Sequence, residues 1–167
     1  YIDAAAEKVL REEGMFIERR QILLDLKPEA VFRAYMGIGG GRGWLYMNWA
    51  WALRGWMDKV IGGVGLRRGR RHPDDVHVGE ALDFWRVETV EKNIRLRLLA
   101  EMKVPGKAWL EFESQKQDDQ TLLTVTAYFA PHGLSGFLYW YAMWPFHKFI
   151  FDGLTRRLAS RARILGR

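Results

Sequence analysis

Four segments in the second half of the chain alternate apolar and polar residues with period two, the mark of half-buried strands. They span 80–91 (EALDFWRVETVE), 94–104, 107–117 and 121–131. Lys92-Asn93, Pro105-Gly106 and the DDQ run at 118–120 separate them. Connections this short and turn-prone predict an antiparallel meander. Arg86 and Glu88 share one phase, as do Arg95 and Arg97, and Glu111 and Glu113. That predicts a charged ladder on the solvent face. The opposite phase assigns Asp83, Trp85, Val87, Ile94, Leu96, Leu98, Leu110 and Phe112 to the covered face.

The first half reads as a strand and two short helices. Residues 15–26 (MFIERRQILLDL) have strand character, with Ile17, Ile22, Leu24 and Leu26 apolar. Pro28 suits a first helical turn, and Val31, Phe32 and Tyr35 give that helix one apolar face. The glycines at 39–41 end it. A second helix is expected from about residue 49, with Trp49, Leu53, Trp56, Met57 and Val60 at helical spacing. Arg54, Asp58 and Lys59 mark its outer face, and Gly62 and Gly63 stop it. Residues 1–14 read as a short polar helix ending at Gly14, a lead-in to a single domain over 15–163, with 164–167 a basic tail.

The stretch LSGFLYWYAMWPFHKFIFDGL, 134–154, has nearly the length of a membrane span. His147, Lys148 and Asp152 interrupt it, and Pro145 sits in its middle. Trp140, Trp144, His147, Phe151, Leu154 and Leu158 recur at steps of four and three. The stripe continues past 154, so one long amphipathic helix over about 134–163 is expected, kinked near Pro145. No transmembrane span is expected.

Composition narrows the chemistry. The chain of 167 residues has no Cys, which excludes disulfides, thiolate catalysis and Cys-type zinc sites. It has eight Trp, six Tyr and nine Phe, enough to fill a large interior or line an apolar pocket. No apolar signal segment opens it, and it starts without Met. A cytoplasmic location and excision from a longer protein are the resulting expectations. The net charge of +6 is clustered, with Arg67, Arg68, Arg70 and Arg71 in one loop and five Arg in 155–167. The loop arginines are candidate anion contacts, and peripheral contact with anionic membranes fits the tail.

Several specific chemistries fit poorly. GIGGGRG (37–43) and GGVGLRRG (62–69) lack the dinucleotide fingerprint spacing, so no nucleotide cofactor is expected within this domain. HPDDVH (72–77) matches no strong metal signature, and no metal is expected. Nucleic acid is disfavoured because the aromatics have core periodicity while the arginines lie elsewhere.

The order strand, two helices, meander strands and long C-terminal helix is that of the α+β helix-grip fold (START/SRPBCC-like), in which an antiparallel sheet wraps around the last helix. The segments GWLYMNWAWALRGWMDKVIGGVGLRRGRR, VGEALDFWRVE, LRLLAEMKVPGKAWLEFE and PHGLSGFLYWYAMWPFHKFIF resemble the bacterial DUF2867 family over about residues 15–163. The resemblance implies a domain that often follows an NAD(P)-binding, sugar-epimerase-like short-chain dehydrogenase domain, so NAD(P) would belong upstream. It implies no catalytic residues.

The favoured expectation is a module that binds an apolar or aromatic ligand, such as a lipid, quinone or polyketide-like molecule, in a cavity between sheet and helix. Trp85, Trp140, Tyr141, Trp144 and Phe151 would supply its walls. Asp83 or His147 would fix a polar end, and Arg86 less well because its phase points outward. An accessory enzyme would pair Asp83 with His147 or Tyr128 for acid–base work. A packed interaction domain without a ligand is the third reading.

Overall fold

The computed structural model describes residues 8–12, 14–38, 53, 56, 57, 59–62, 72, 75–82, 85–101 and 103–166. Seven strands form one antiparallel sheet: β1 (Lys8–Glu12), β2 (Met15–Leu24), β3 (Ala81–Leu82), β4 (Trp85–Glu91), β5 (Arg95–Ala100), β6 (Gly106–Gln117) and β7 (Gln120–Pro131). Their spatial order is β1-β2-β7-β6-β5-β4-β3. Helix α1 (Pro28–Met36) follows β2, and helix α2 (Gly133–Leu165) ends the chain. Residues 53, 56, 57, 59 and 60 are also helical. The architecture is therefore α+β, an antiparallel sheet with a long C-terminal helix.

The expected meander is present. β4 to β7 pair in sequence order, and the long-range step joins β2 to β7 from Phe16↔Phe129 to Leu24↔Thr121. The charged ladder also forms on the outer face. Arg95 meets Glu113 at 2.7 Å, and Arg97 meets Glu111 at 3.3 Å. The Arg95–Glu113 pair is part-exposed and contributes little to stability, whereas Glu111 is buried beneath Arg97.

Three local expectations are corrected. The polar helix over 1–14 is absent at 8–12, where the chain is strand β1, paired from Lys8↔Arg19 to Glu12↔Met15. Gly14, at φ 79°, takes the left-handed conformation that lets the chain reverse there. Ile94 is 50% exposed because it sits in the turn before β5 rather than in the strand. Finally, the strand expected over 80–91 breaks: Leu82 pairs with Trp85 and Ala81 with Arg86. One unbroken alternation, the basis for grouping Asp83 with Trp85, therefore does not hold.

The inner face of the sheet carries the core. Leu24, Val87, Leu96, Leu98, Leu110, Phe112, Leu123 and Val125 are buried there. Two helices cover them. α1 contributes Val31, Ala34 and Tyr35, and the second half of α2 contributes Phe151, Leu154, Leu158, Ala159 and Ala162. The first half of α2 joins a separate small cluster, in which Trp140 packs with Phe16 and Phe129. Gly136 permits that approach, since a β-carbon there would lie 2.5 Å from the Pro105 carbonyl oxygen and 2.7 Å from the Pro131 ring.

α2 is continuous through Pro145. Proline removes the donor that would reach the carbonyl of Tyr141. Both residues lie on the exposed side of the helix, where water can satisfy that carbonyl.

Tyr35 closes the core beneath α1. It stacks on Phe112, and its hydroxyl lies 3.0 Å from Ser114 Oγ. Burial pushes its phenol well above the ordinary value of about 10, against a smaller lowering by the Ser114 hydrogen bond. Below about pH 10 both folded and unfolded chains keep this proton, and the shift has no effect on stability. At higher pH the unfolded chain loses it first, so stability falls as pH rises. Tyr35→Phe is expected to cost about 1 kcal/mol at neutral pH and to flatten the decline in urea midpoint above about pH 10. Urea titrations across that range would show it.

Candidate functional site

Strand β2 places two charges where alternation demands apolar residues. Phe16, Glu18, Arg20, Ile22 and Leu24 share one phase, and all five are buried. Glu18 is 2% exposed and Arg20 1%. Arg20 is among the largest fully buried side chains of the described residues. Such burial requires partners, because an isolated ion in an apolar interior loses its hydration uncompensated. Two carboxylates meet Arg20: one terminal nitrogen donates to Glu18 Oε1 at 2.6 Å and Nε donates to Asp152 Oδ1 at 2.6 Å, while the other terminal nitrogen donates to the Arg19 carbonyl at 3.4 Å. Asp152 comes from α2, so the ion pair ties the helix to strand β2. Burial opposes the Arg20 charge, and the hydrogen bonds and charges of Asp152 and Glu18 more than offset it. Its guanidinium is held above its ordinary range.

The triad holds two carboxylates against one guanidinium. Its members are unequal in access: Glu18 and Arg20 are sealed, whereas the Asp152 side chain is 32% exposed. Next to its members in the chain, Phe151 precedes Asp152 on α2, and Phe16, in phase with Glu18 on β2, packs with Trp140. His147 stands edge-on between Trp140, at 5.7 Å, and Phe151, at 5.6 Å between ring centres. Cross-strand register relates the triad to the rest of the sheet. Glu18 faces Ala127, which faces Leu110, then Leu98, then Val87. The row thus runs from a buried charge through apolar residues toward the Trp85 side of the sheet.

The structure brings some of the sequence-derived candidates together and separates others. Trp140, His147 and Phe151 lie along one side of α2, in ring contact with one another. Trp85 is buried on the same inner face but at the opposite end of the sheet, on β4. Trp144 is 37% exposed and Tyr141 66% exposed. Tyr141 turns away from the sheet for most of its surface and meets Phe16 only edge-on, at 5.8 Å. Tyr128 does not join this group. Its phase on β7 is opposite to that of Ala127 and Phe129, so it lies on the outer face, where its hydroxyl donates to Glu111 Oε1 at 3.4 Å. The Arg97 guanidinium lies over its ring at 5.1 Å. Tyr128 and His147, the two alternative partners expected for Asp83, therefore lie on opposite faces of the sheet. Arg86, expected to point outward, forms an ion pair with Glu101 at 2.8 Å. Asp83 and the candidate anion contacts Arg67, Arg68, Arg70 and Arg71 lie outside the described residues.

The His–Asp run before β3 forms a different feature. His77 is exposed and lies 3.6 Å from Asp75 and 3.4 Å from Glu80. With His72, Val78 and Gly79 these residues line an open surface depression. No residue of α2 contributes to it, so it is separate from the triad. Among the described residues no group of three or more His, Cys, Asp or Glu is arranged to hold a metal.

The triad was missed in the sequence although its signal is visible there. Glu18 and Arg20 sit at i+2 and i+4 from Phe16, in phase with Ile22 and Leu24. Two charges in the inward phase of a strand mark a buried ion pair. Their partner Asp152 is more than 130 positions away, and only the fold supplies it.

Comparison with known proteins adds the family and the fold. The profile of a family described as "Protein of unknown function (DUF2867)" matches residues 12–154. A search of curated proteins finds no match. Among solved structures, the chain is similar to CalU16 from Micromonospora echinospora, at 12% identity and a TM-score of 0.55, covering 98% of this chain and 75% of that one. It is also similar to the conserved protein of unknown function EF2215 from Enterococcus faecalis, at 13% identity and a TM-score of 0.50, covering 92% and 75%. A third is Mll3558 from Rhizobium loti, at 15% identity and a TM-score of 0.50, covering 88% and 96%. At these identities the similarity concerns the fold.

Proposed function

Since this chain belongs to the DUF2867 family, whose description assigns no activity, we propose from its own residues that it is a small-molecule binding domain of the helix-grip class. Its ligand is an apolar or aromatic molecule with one polar end, held between the inner face of the sheet and α2. One observation carries this reading: a charged triad, two of whose members are almost fully buried, lies beneath an aromatic helix face. Apolar side chains of similar volume would fill such a position at equal or lower free energy. A polar group retained there fits a role in orienting a ligand.

The chemistry of the triad suggests the complementary group. Asp152 is the member a ligand reaches, and its part-exposed carboxylate accepts hydrogen bonds. It therefore suits a hydroxyl or amino donor better than a carboxylate or phosphate. His147, edge-on to Trp140 and Phe151, precedes Asp152 by five residues on α2 and supplies a second polar contact. Trp85, Trp140 and Phe151 provide apolar surface. The domain context suggested by the sequence, an upstream NAD(P)-binding dehydrogenase-like domain, belongs to the same proposal, and reading the coding sequence upstream of Tyr1 tests it.

A second reading has its own support. Within the triad each carboxylate already pairs with Arg20 at 2.6 Å, so the cluster also works as a clamp between β2 and α2 with no ligand. Native mass spectrometry of the purified chain, with organic extraction of whatever travels with it, separates the two. A bound molecule in stoichiometric amount, displaced in Asp152→Leu, is the expected result. A clean mass, with no aromatic alcohol or amine shifting the His147 and Trp140 resonances in NMR titration, would leave the clamp.

A further inference from the structure

The outer face of α2 has the wrong polarity for a helix that simply covers a sheet. Leu134, Leu138, Tyr141, Phe146 and Phe149 are 62% to 75% exposed. Leu134, Leu138 and Tyr141 follow at steps of four and three, and Phe149 lies eight beyond Tyr141, so they line one side of the helix. Charge is distributed just as unevenly. Across its 33 residues α2 has a single acid, Asp152, which is bound to Arg20. Its cations are Lys148, Arg156, Arg157, Arg161 and Arg163. Arg156 and Arg163 follow Phe149 at successive steps of seven, so the apolar stripe runs directly into exposed cations. Trp56, Met57, Val60 and Ile61, all more than half exposed, add further apolar surface. The Ile61 carbonyl accepts a bond from Lys103 at 2.9 Å. That places this surface beside the β5–β6 connection, whose Pro105 the start of α2 packs against.

We infer that the outer face of α2 docks on an anionic phospholipid surface. The aromatic and leucine side chains enter the headgroup boundary, and Arg156, Arg157 and Arg163 meet lipid phosphates. Aromatic and leucine residues on one side with cations and almost no acid describe a helix that lies in the interface plane. No helix among the described residues is long and apolar enough to cross a membrane, so the contact is one of lying on the surface. The charge pattern commits the occupant: a neutral apolar partner would leave the arginines without counter-charge. This inference does not depend on the internal ligand proposed above, because it uses the opposite side of the helix.

Co-sedimentation of the full chain with vesicles tests it. Vesicles of phosphatidylcholine with one-quarter phosphatidylglycerol are compared with phosphatidylcholine alone. Binding to the anionic vesicles only, weakening with salt, is expected. Leu138→Ser/Phe149→Ser should abolish it, with circular dichroism confirming an unchanged fold. Arg156→Gln and Arg163→Gln should each weaken it roughly fivefold at low salt. Absence of binding to anionic vesicles overturns the inference, as does binding that survives Leu138→Ser/Phe149→Ser. A concentration-dependent dimer in light scattering, dispersed by that double variant, would instead assign the face to a second copy of the chain.

Discussion

Arg20→Ala is expected to destabilise the domain by about 3–5 kcal/mol, the cost of leaving a buried carboxylate without its counter-charge. Glu18 is the reason for so large a value: at 2% exposure it cannot recover hydration when the guanidinium is removed. Asp152→Asn should cost less, because its side chain is 32% exposed and water can replace part of what it loses. The informative comparison is the double variant Glu18→Leu/Arg20→Met, which removes both sealed charges and keeps their volume. If the triad serves a ligand, this variant unfolds at a urea midpoint equal to or above the wild type while losing the bound molecule. If the triad is indispensable to the fold, the double variant unfolds as early as Arg20→Ala. Equilibrium urea unfolding of the three variants decides it.

Trp140→Ala is the second large effect, about 3–5 kcal/mol. Trp140 is 3% exposed and stacks near-parallel to two rings, Phe16 at 4.9 Å and Phe129 at 5.7 Å. Those two residues are cross-strand partners on β2 and β7, so the indole is the plug that holds the first half of α2 to the sheet. Removing it opens a cavity that neither phenylalanine can fill from a fixed backbone. Trp144, on the same sequence stripe, is 37% exposed, and its alanine variant should cost clearly less, about 1 kcal/mol. Equal losses for the two variants in thermal or urea unfolding would contradict this assignment of core and surface.

These contrasts show how helical periodicity misleads in this chain. Trp140, Trp144, His147 and Phe151 are equivalent by spacing. In the structure Trp140 and Phe151 are buried, His147 is half-buried and Trp144 is partly exposed. A helix that is apolar on nearly all sides gives no sign of which side faces inward. Leu53, Trp56, Met57 and Val60 repeat the lesson, since their apolar spacing predicts burial and each is at least half exposed. Strands are more legible. An alternation error moves every residue to the wrong face, so the outer ladder of Arg95, Arg97, Glu111 and Glu113 could be read directly from phase.

By itself, then, the sequence determined the strands β4 to β7, their antiparallel order, the charged outer face and a long C-terminal helix. All follow from local periodicity and short turn-rich connections, which act over a few residues. Tertiary structure decided what depends on distant partners. It placed 8–12 as a strand through pairing with 15–19. It moved Tyr128 to the far side of the sheet from His147. It also joined Arg20, and through it Glu18, to Asp152 across 132 positions of sequence. Burying an ion lowers the free energy only when its counter-charge is already in place, and for Arg20 half of that counter-charge arrives only when the last helix docks.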